Sequence, residues 1–61
     1  MKADDLIKQI EQKGWFFVRQ NGSHQIFKHK DFPNNVSVPN HGKKDIPKGT
    51  LNGILKDAGL K

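Results

Sequence analysis

The sequence predicts an α+β domain of element order α-β-β-β-α, with two helices laid on one face of a three-stranded antiparallel sheet in a dsRBD-like arrangement. Three observations predict it. Apolar residues recur at helical spacing near both ends of the chain. Aromatic and β-branched residues concentrate between those ends. An Asn-Gly pair divides this middle section into strand-like runs. The 61 residues make one domain, 1–61, and a chain this short buries only roughly 60% of the surface its unfolded form exposes, so its core is thin.

The first helix is predicted over residues 4–13. Asp4 and Asp5 suit the positive end of a helix dipole, Leu6, Ile7 and Ile10 form the apolar side, and Lys13-Gly14 reads as the last turn and its cap. Trp15 to Gln20 reads as a strand. Asn21-Gly22 is a strong signal for a two-residue hairpin turn, and Ser23 to His29 is the returning strand. Asp31 to Asn35 reads as a turn cluster, and Val36-Ser37-Val38 as a short third strand that Pro39 ends. Asn40 to Lys44 is a polar loop. The second helix is predicted over 46–58, with Asp45 as N-cap, Pro47 near its start, a stripe of Leu51, Ile54, Leu55 and Ala58, and Gly59 as the stop. The expected core is Leu6, Ile10, Phe17, Leu51, Ile54 and Leu55, joined by at least two of Trp15, Phe16 and Phe17.

Composition narrows the function. There is no cysteine, which removes thiol chemistry, disulfides and Cys-based zinc sites. The longest apolar run, Trp15-Phe16-Phe17-Val18, is too short to span a bilayer, and no signal peptide is visible, so a cytoplasmic protein is expected. Eleven Lys and Arg against six Asp and Glu give a net charge of +5. The excess is concentrated in residues 19–48, where Arg19, Lys28, Lys30, Lys43, Lys44 and Lys48 face only Asp31 and Asp45. A polyanion would bind there.

His24 is the residue with chemical promise. A two-residue loop at Asn21-Gly22 pairs Gln20 with Ser23 and Arg19 with His24, and directly opposed residues share a face of the sheet. Imidazole exchanges protons near neutral pH, and a guanidinium beside it can bind phosphate through two parallel hydrogen bonds. Ser23 and the Gly22 amide add donors. These are the minimal needs of RNA cleavage: a base for the 2′-OH, an acid for the leaving oxygen and a cation on the phosphoryl group. The plainer alternative is a polar residue at the start of a strand. No cofactor is expected. No metal site is expected either, because His24 and His29 point to opposite faces of a regular strand, His41 lies in a distant loop, and no carboxylate falls at ligand spacing with them.

Three segments, KGWFFVRQNGSHQIFKH, VSVPNHG and KGTLNGILKDAGL, together resemble the HicA family of toxins, also described as YcfA-like proteins. The resemblance lies in Gly14-Trp15, Arg19, Gly22-Ser23-His24, Val38-Pro39 with His41-Gly42, and Gly49-Thr50-Leu51 leading to Ile54-Leu55 and Ala58-Gly59. It implies a double-stranded-RNA-binding-domain-like fold and the activity of a ribosome-independent mRNA endonuclease, the toxin of a toxin–antitoxin pair. It makes His24 the catalytic residue. It implies a HicB-type antitoxin that covers His24, with DNA reached only through that antitoxin. Arg19, Ser23, Lys28, Lys43, Lys44 and Lys48 would then bind RNA. Two other readings stand beside it: a non-catalytic RNA-binding module that reads A-form shape, and an interaction protein whose basic surface meets an acidic partner.

Overall fold

In the computed structural model, which describes residues 1–42 and 44–61, the chain runs α1 (Ala3–Gln12), β1 (Phe16–Asn21), β2 (His24–His29), β3 (Phe32–Pro39) and α2 (Lys48–Asp57). The strands form one antiparallel sheet in the order β1-β2-β3. The predicted order and sheet are therefore present. Among the described residues no helix is long and apolar enough to cross a membrane.

Both helices end the same way, for a reason written in the sequence. Gly14 and Gly59 take positive φ, of 100° and 77°, just beyond the helix ends. Their N–H groups donate to the carbonyls of Glu11 and Lys56, and the next residues, Trp15 and Leu60, donate to Ile10 and Leu55. This paired 5→2 and 6→1 pattern is the Schellman motif, which satisfies carbonyls that the helix leaves open and sets an apolar residue at the following position. Trp15 thereby enters the core, and its indole Nε1 donates to the Ala58 carbonyl at 3.1 Å, tying the end of α1 to the end of α2.

The core joins Leu6 and Ile10 of α1, Phe27, Val36 and Val38 from one face of the sheet, and Ile54 of α2 with Ala58, while Leu51 and Leu55 pack at its margin. Ile46, which precedes α2, is also buried. Its N–H donates to Met1 O at 2.8 Å, and Lys2 and Asp45 form an isolated bridge. Residues 45 and 46 are thus extended rather than helical. This corrects the expectation that Asp45 caps α2. The N-cap is Pro47, without a side-chain cap, because the residue before a proline is disfavoured in the α region.

Three further expectations are corrected. Phe17 is not core: it is 49% exposed and Phe16 54% exposed, so of the aromatic trio only Trp15 is buried. Both helices lie against β3, which leaves β1 as a bare edge with all six residues exposed. The second hairpin turns at Lys30-Asp31, between the pair His29 and Phe32, so β3 starts four residues earlier than expected. Pro33 is accommodated because the register between β2 and β3 is irregular there, and strand prolines are confined to edges and bulges. The first hairpin turns at Gly22-Ser23, with Asn21 opposite His24. Gly22 has φ +64° and, among the described residues, no non-glycine residue has positive φ, which is the type II′ pattern rather than the type I′ pattern Asn-Gly suggests.

Candidate active site on the open face of the sheet

The face of β2 away from the helices carries His24, Ile26 and Lys28, while Phe27 on the other face is buried. In β1, Asn21 lies opposite His24, Arg19 opposite Ile26 and Phe16 opposite Lys28. In β3, Pro39 lies opposite His24 and Ser37 opposite Ile26. The expected direct pair of Arg19 and His24 is therefore replaced by a diagonal one. The turn moved by one residue, which moves the pairing by two, and an even shift keeps every side chain on its face. Arg19 still shares the face of His24, with backbone positions about 7–8 Å apart, within reach of a long side chain. A bulge at Val18, between the paired Phe17 and Arg19, then sets the parity of the rest of β1.

His24 is exposed, and its Nδ1 lies 3.2 Å from Ser37 Oγ. A hydroxyl both donates and accepts, so Ser37 can hold the ring in either neutral tautomer and in the protonated form. Nε2 makes no hydrogen bond among the described residues. Sequence reasoning missed Ser37. The signal was the alternation of Val36-Ser37-Val38, which puts the serine on the face opposite the two core valines.

It also misplaced His41. The loop after β3 folds back on the first hairpin: Asn40 N–H donates to Ser23 O at 2.8 Å, and Gly42 N–H donates to Asn40 Oδ1 at 3.2 Å. This sets the His41 ring edge-on to His24, with centroids 6.5 Å apart. The third histidine is elsewhere. His29 faces the helix side, where its Nε2 donates to Lys13 O at 2.7 Å and its Nδ1 accepts the Asp31 N–H at 3.0 Å.

Across residues 3–60 the sequence matches the family described as "HicA toxin of bacterial toxin-antitoxin". The chain belongs to the HicA toxin family. No curated protein matches it. Membership makes it a toxin of a toxin–antitoxin system and implies an antitoxin partner.

In this HicA chain the sequence-predicted site residues separate into two groups. Arg19 and Lys28 stand on the face of His24. Ser23 is half-buried in the turn and contributes its carbonyl, which anchors Asn40, rather than a donor directed at a ligand. Lys44, in the loop, and Lys48, in the first turn of α2, are exposed, and no contact ties either to His24. Lys43 lies outside the described residues. Among the described residues no group of three His, Asp or Glu side chains gathers as a metal site.

Proposed function

We propose that this HicA chain is an endoribonuclease that cleaves mRNA without a metal, with His24 moving the protons. The observation that carries the reading is the combination at His24: an exposed imidazole on the face that also carries Arg19, one nitrogen braced by Ser37 Oγ at 3.2 Å and the other without a hydrogen bond among the described residues. A proton acceptor needs a fixed ring and a free lone pair, and the Nδ1–H···Oγ arrangement supplies both at once. In the reaction the 2′ oxygen attacks the adjacent phosphorus and the bond from phosphorus to the 5′ oxygen breaks. Nε2 takes the 2′-OH proton, and a proton returns to the 5′ oxygen, so the step balances with no cofactor. The Arg19 guanidinium offers two parallel donors to the phosphoryl oxygens. The open face, beside which no cavity is formed among the described residues, suits a polymer laid across the sheet. The reading places the protein in the cytoplasm, with its mRNA substrate.

The test is cleavage of a defined single-stranded RNA in EDTA by the wild type and by His24→Ala. A positioned acid–base group contributes on the order of 10²–10⁴-fold, so the variant should lose that much rate while staying folded. Undiminished cleavage by folded His24→Ala would sink the assignment. A HicB-type antitoxin that covers His24 silences the toxin in this reading, and any contact with DNA is made by that antitoxin. A histidine-modifying reagent should then label His24 in the free chain and spare it in the complex. Equal labelling would mean that inhibition acts at a distance.

A further inference from the structure

The phosphodiester exchange has a geometric requirement that His24 alone meets poorly. In an in-line displacement the attacking 2′ oxygen and the departing 5′ oxygen lie on opposite sides of phosphorus. One imidazole nitrogen cannot hydrogen-bond both at the same moment, so a single histidine has to move or to act in sequence. His41 stands where a second ring is needed. Its centroid is 6.5 Å from that of His24, and the two rings are nearly perpendicular, at 86°. Both are exposed, and no hydrogen bond joins them. Two rings at this separation can each reach a different oxygen of one phosphodiester through hydrogen bonds of about 2.7–3.2 Å.

The loop presents His41 by design of its neighbours. Asn40 is held from three directions: its N–H by Ser23 O at 2.8 Å, its Oδ1 by the Gly42 N–H at 3.2 Å, and its Nδ2 by Asp4 Oδ1 at 3.5 Å. The Asn side chain closing onto the backbone two residues on is an Asx turn, and the residue inside it is His41. The same Asn40–Ser23 bond fastens this loop to the turn that precedes His24. Both histidines are thus mounted on one hydrogen-bonded corner of the molecule, although 17 positions separate them in the sequence.

We propose that His41 is the second catalytic residue of this site: it donates the proton to the departing 5′ oxygen while His24 Nε2 accepts the proton of the 2′-OH. This rests on the ribonuclease reading of His24. In the step the bond from the 2′ oxygen to phosphorus forms and the bond from phosphorus to the 5′ oxygen breaks. The products are a 2′,3′-cyclic phosphate and a 5′-hydroxyl. His24 ends protonated and His41 neutral, and exchange with solvent restores both.

The experiment uses two substrates: a defined single-stranded RNA, and the same RNA with sulfur replacing the bridging 5′ oxygen at the linkage the wild type cuts. A thiolate is a far weaker base than an alkoxide and departs without an acid. His41→Ala should cleave the ordinary RNA about 10²–10⁴-fold more slowly than wild type and come within about tenfold of it on the sulfur substrate. His24→Ala should be slow on both. Wild-type cleavage of ordinary RNA by His41→Ala overturns the proposal, as does an equal deficit on both substrates, and either leaves the ribonuclease reading of His24 standing. Rescue of His24→Ala by sulfur instead overturns the assignment of acid and base. Full activity of folded His24→Ala on ordinary RNA overturns the underlying reading itself. Should His41→Ala fail to fold, His41→Gln, which keeps a polar side chain in the loop, is judged by the same pair of substrates.

Discussion

His29, at the C-terminal end of β2, has both ring nitrogens occupied by the Lys13 carbonyl and the Asp31 N–H, and its side chain is only 9% exposed. It packs against the rings of Trp15 and Phe32, with centroids at 5.2 and 4.9 Å. His24, at the N-terminal end of the same strand, is exposed, has one nitrogen on Ser37 Oγ, and keeps the other open. The two residues are chemically identical and five positions apart. The odd spacing sends one toward the helices and the other away from them. An imidazole whose lone pair and N–H are both spent on backbone groups holds structure together. An imidazole with one side braced and one side free can do chemistry. The contrast also disposes of the Asp31 carboxylate as a partner in function: it lies 4.0 Å from His29 Nδ1, but that nitrogen already accepts the Asp31 amide.

Exchanging the two histidines for alanine should break this comparison cleanly. His24→Ala should lose the 10²–10⁴-fold of cleavage set out above, with stability changed by less than about 0.5 kcal/mol, as for most exposed positions. His29→Ala should do the reverse. It forfeits two hydrogen bonds and two ring contacts, about 2–3 kcal/mol together. A 61-residue chain has roughly 3–9 kcal/mol of stability in all, so the loss should show as a large drop in the denaturant midpoint, while cleavage per folded molecule stays near wild type. Equal effects of both variants on folding and cleavage would erase the distinction.

Gly14→Ala sharpens the structural half. A Cβ at Gly14 would sit 2.7 Å from His29 Nε2, and the backbone there has φ +100°. The added methyl should displace the ring from Lys13 O and strain the helix stop, costing about 1–3 kcal/mol in a denaturation curve. No loss would mean that the contact between α1's end and His29 is slack.

Ser37→Ala sharpens the functional half. It removes one exposed hydrogen bond, so stability should hardly move, but the His24 ring loses its brace. A loss of about two- to tenfold in kcat is expected from a bond of roughly 0.5–1.5 kcal/mol, with KM little changed. A KM effect alone would mean that Ser37 binds RNA rather than positions His24. The smallest effect belongs to Lys28, on the same face. Each phosphate neutralised on a single strand contributes about −0.7 to the slope of log affinity against log salt, and Lys28→Ala should reduce the slope by that amount. An unchanged slope would remove Lys28 from the RNA path.

The sequence by itself determined the elements and their ends. Helical spacing of Leu6 and Ile10, and of Leu51, Ile54 and Leu55, marks both helices, and Gly14 and Gly59 stop them because positive φ is local and costs other residues more than glycine. It also determined that His24 and His29 face opposite ways, since the period of a strand is a property of one chain segment. The HicA resemblance, carried by motifs spread over the whole chain, is of the same kind. Tertiary structure decided what depends on two segments at once. Whether Asn21-Gly22 or Gly22-Ser23 forms the turn depends on how β1 pairs along β2, with Asn21 opposite His24 and a bulge at Val18, and that choice made Arg19 a diagonal neighbour of His24. Whether Phe17, which lies opposite Phe27 on the helix side, is covered depends on where the helices cross the sheet, and they cross at β3. Ser37 and His41 reach His24 only because β3 pairs beside β2 and its following loop bonds back to Ser23. Spacing along a chain predicts which side a residue takes, but the neighbour it meets there is set by the packing of another segment, and packing is a property of the whole fold.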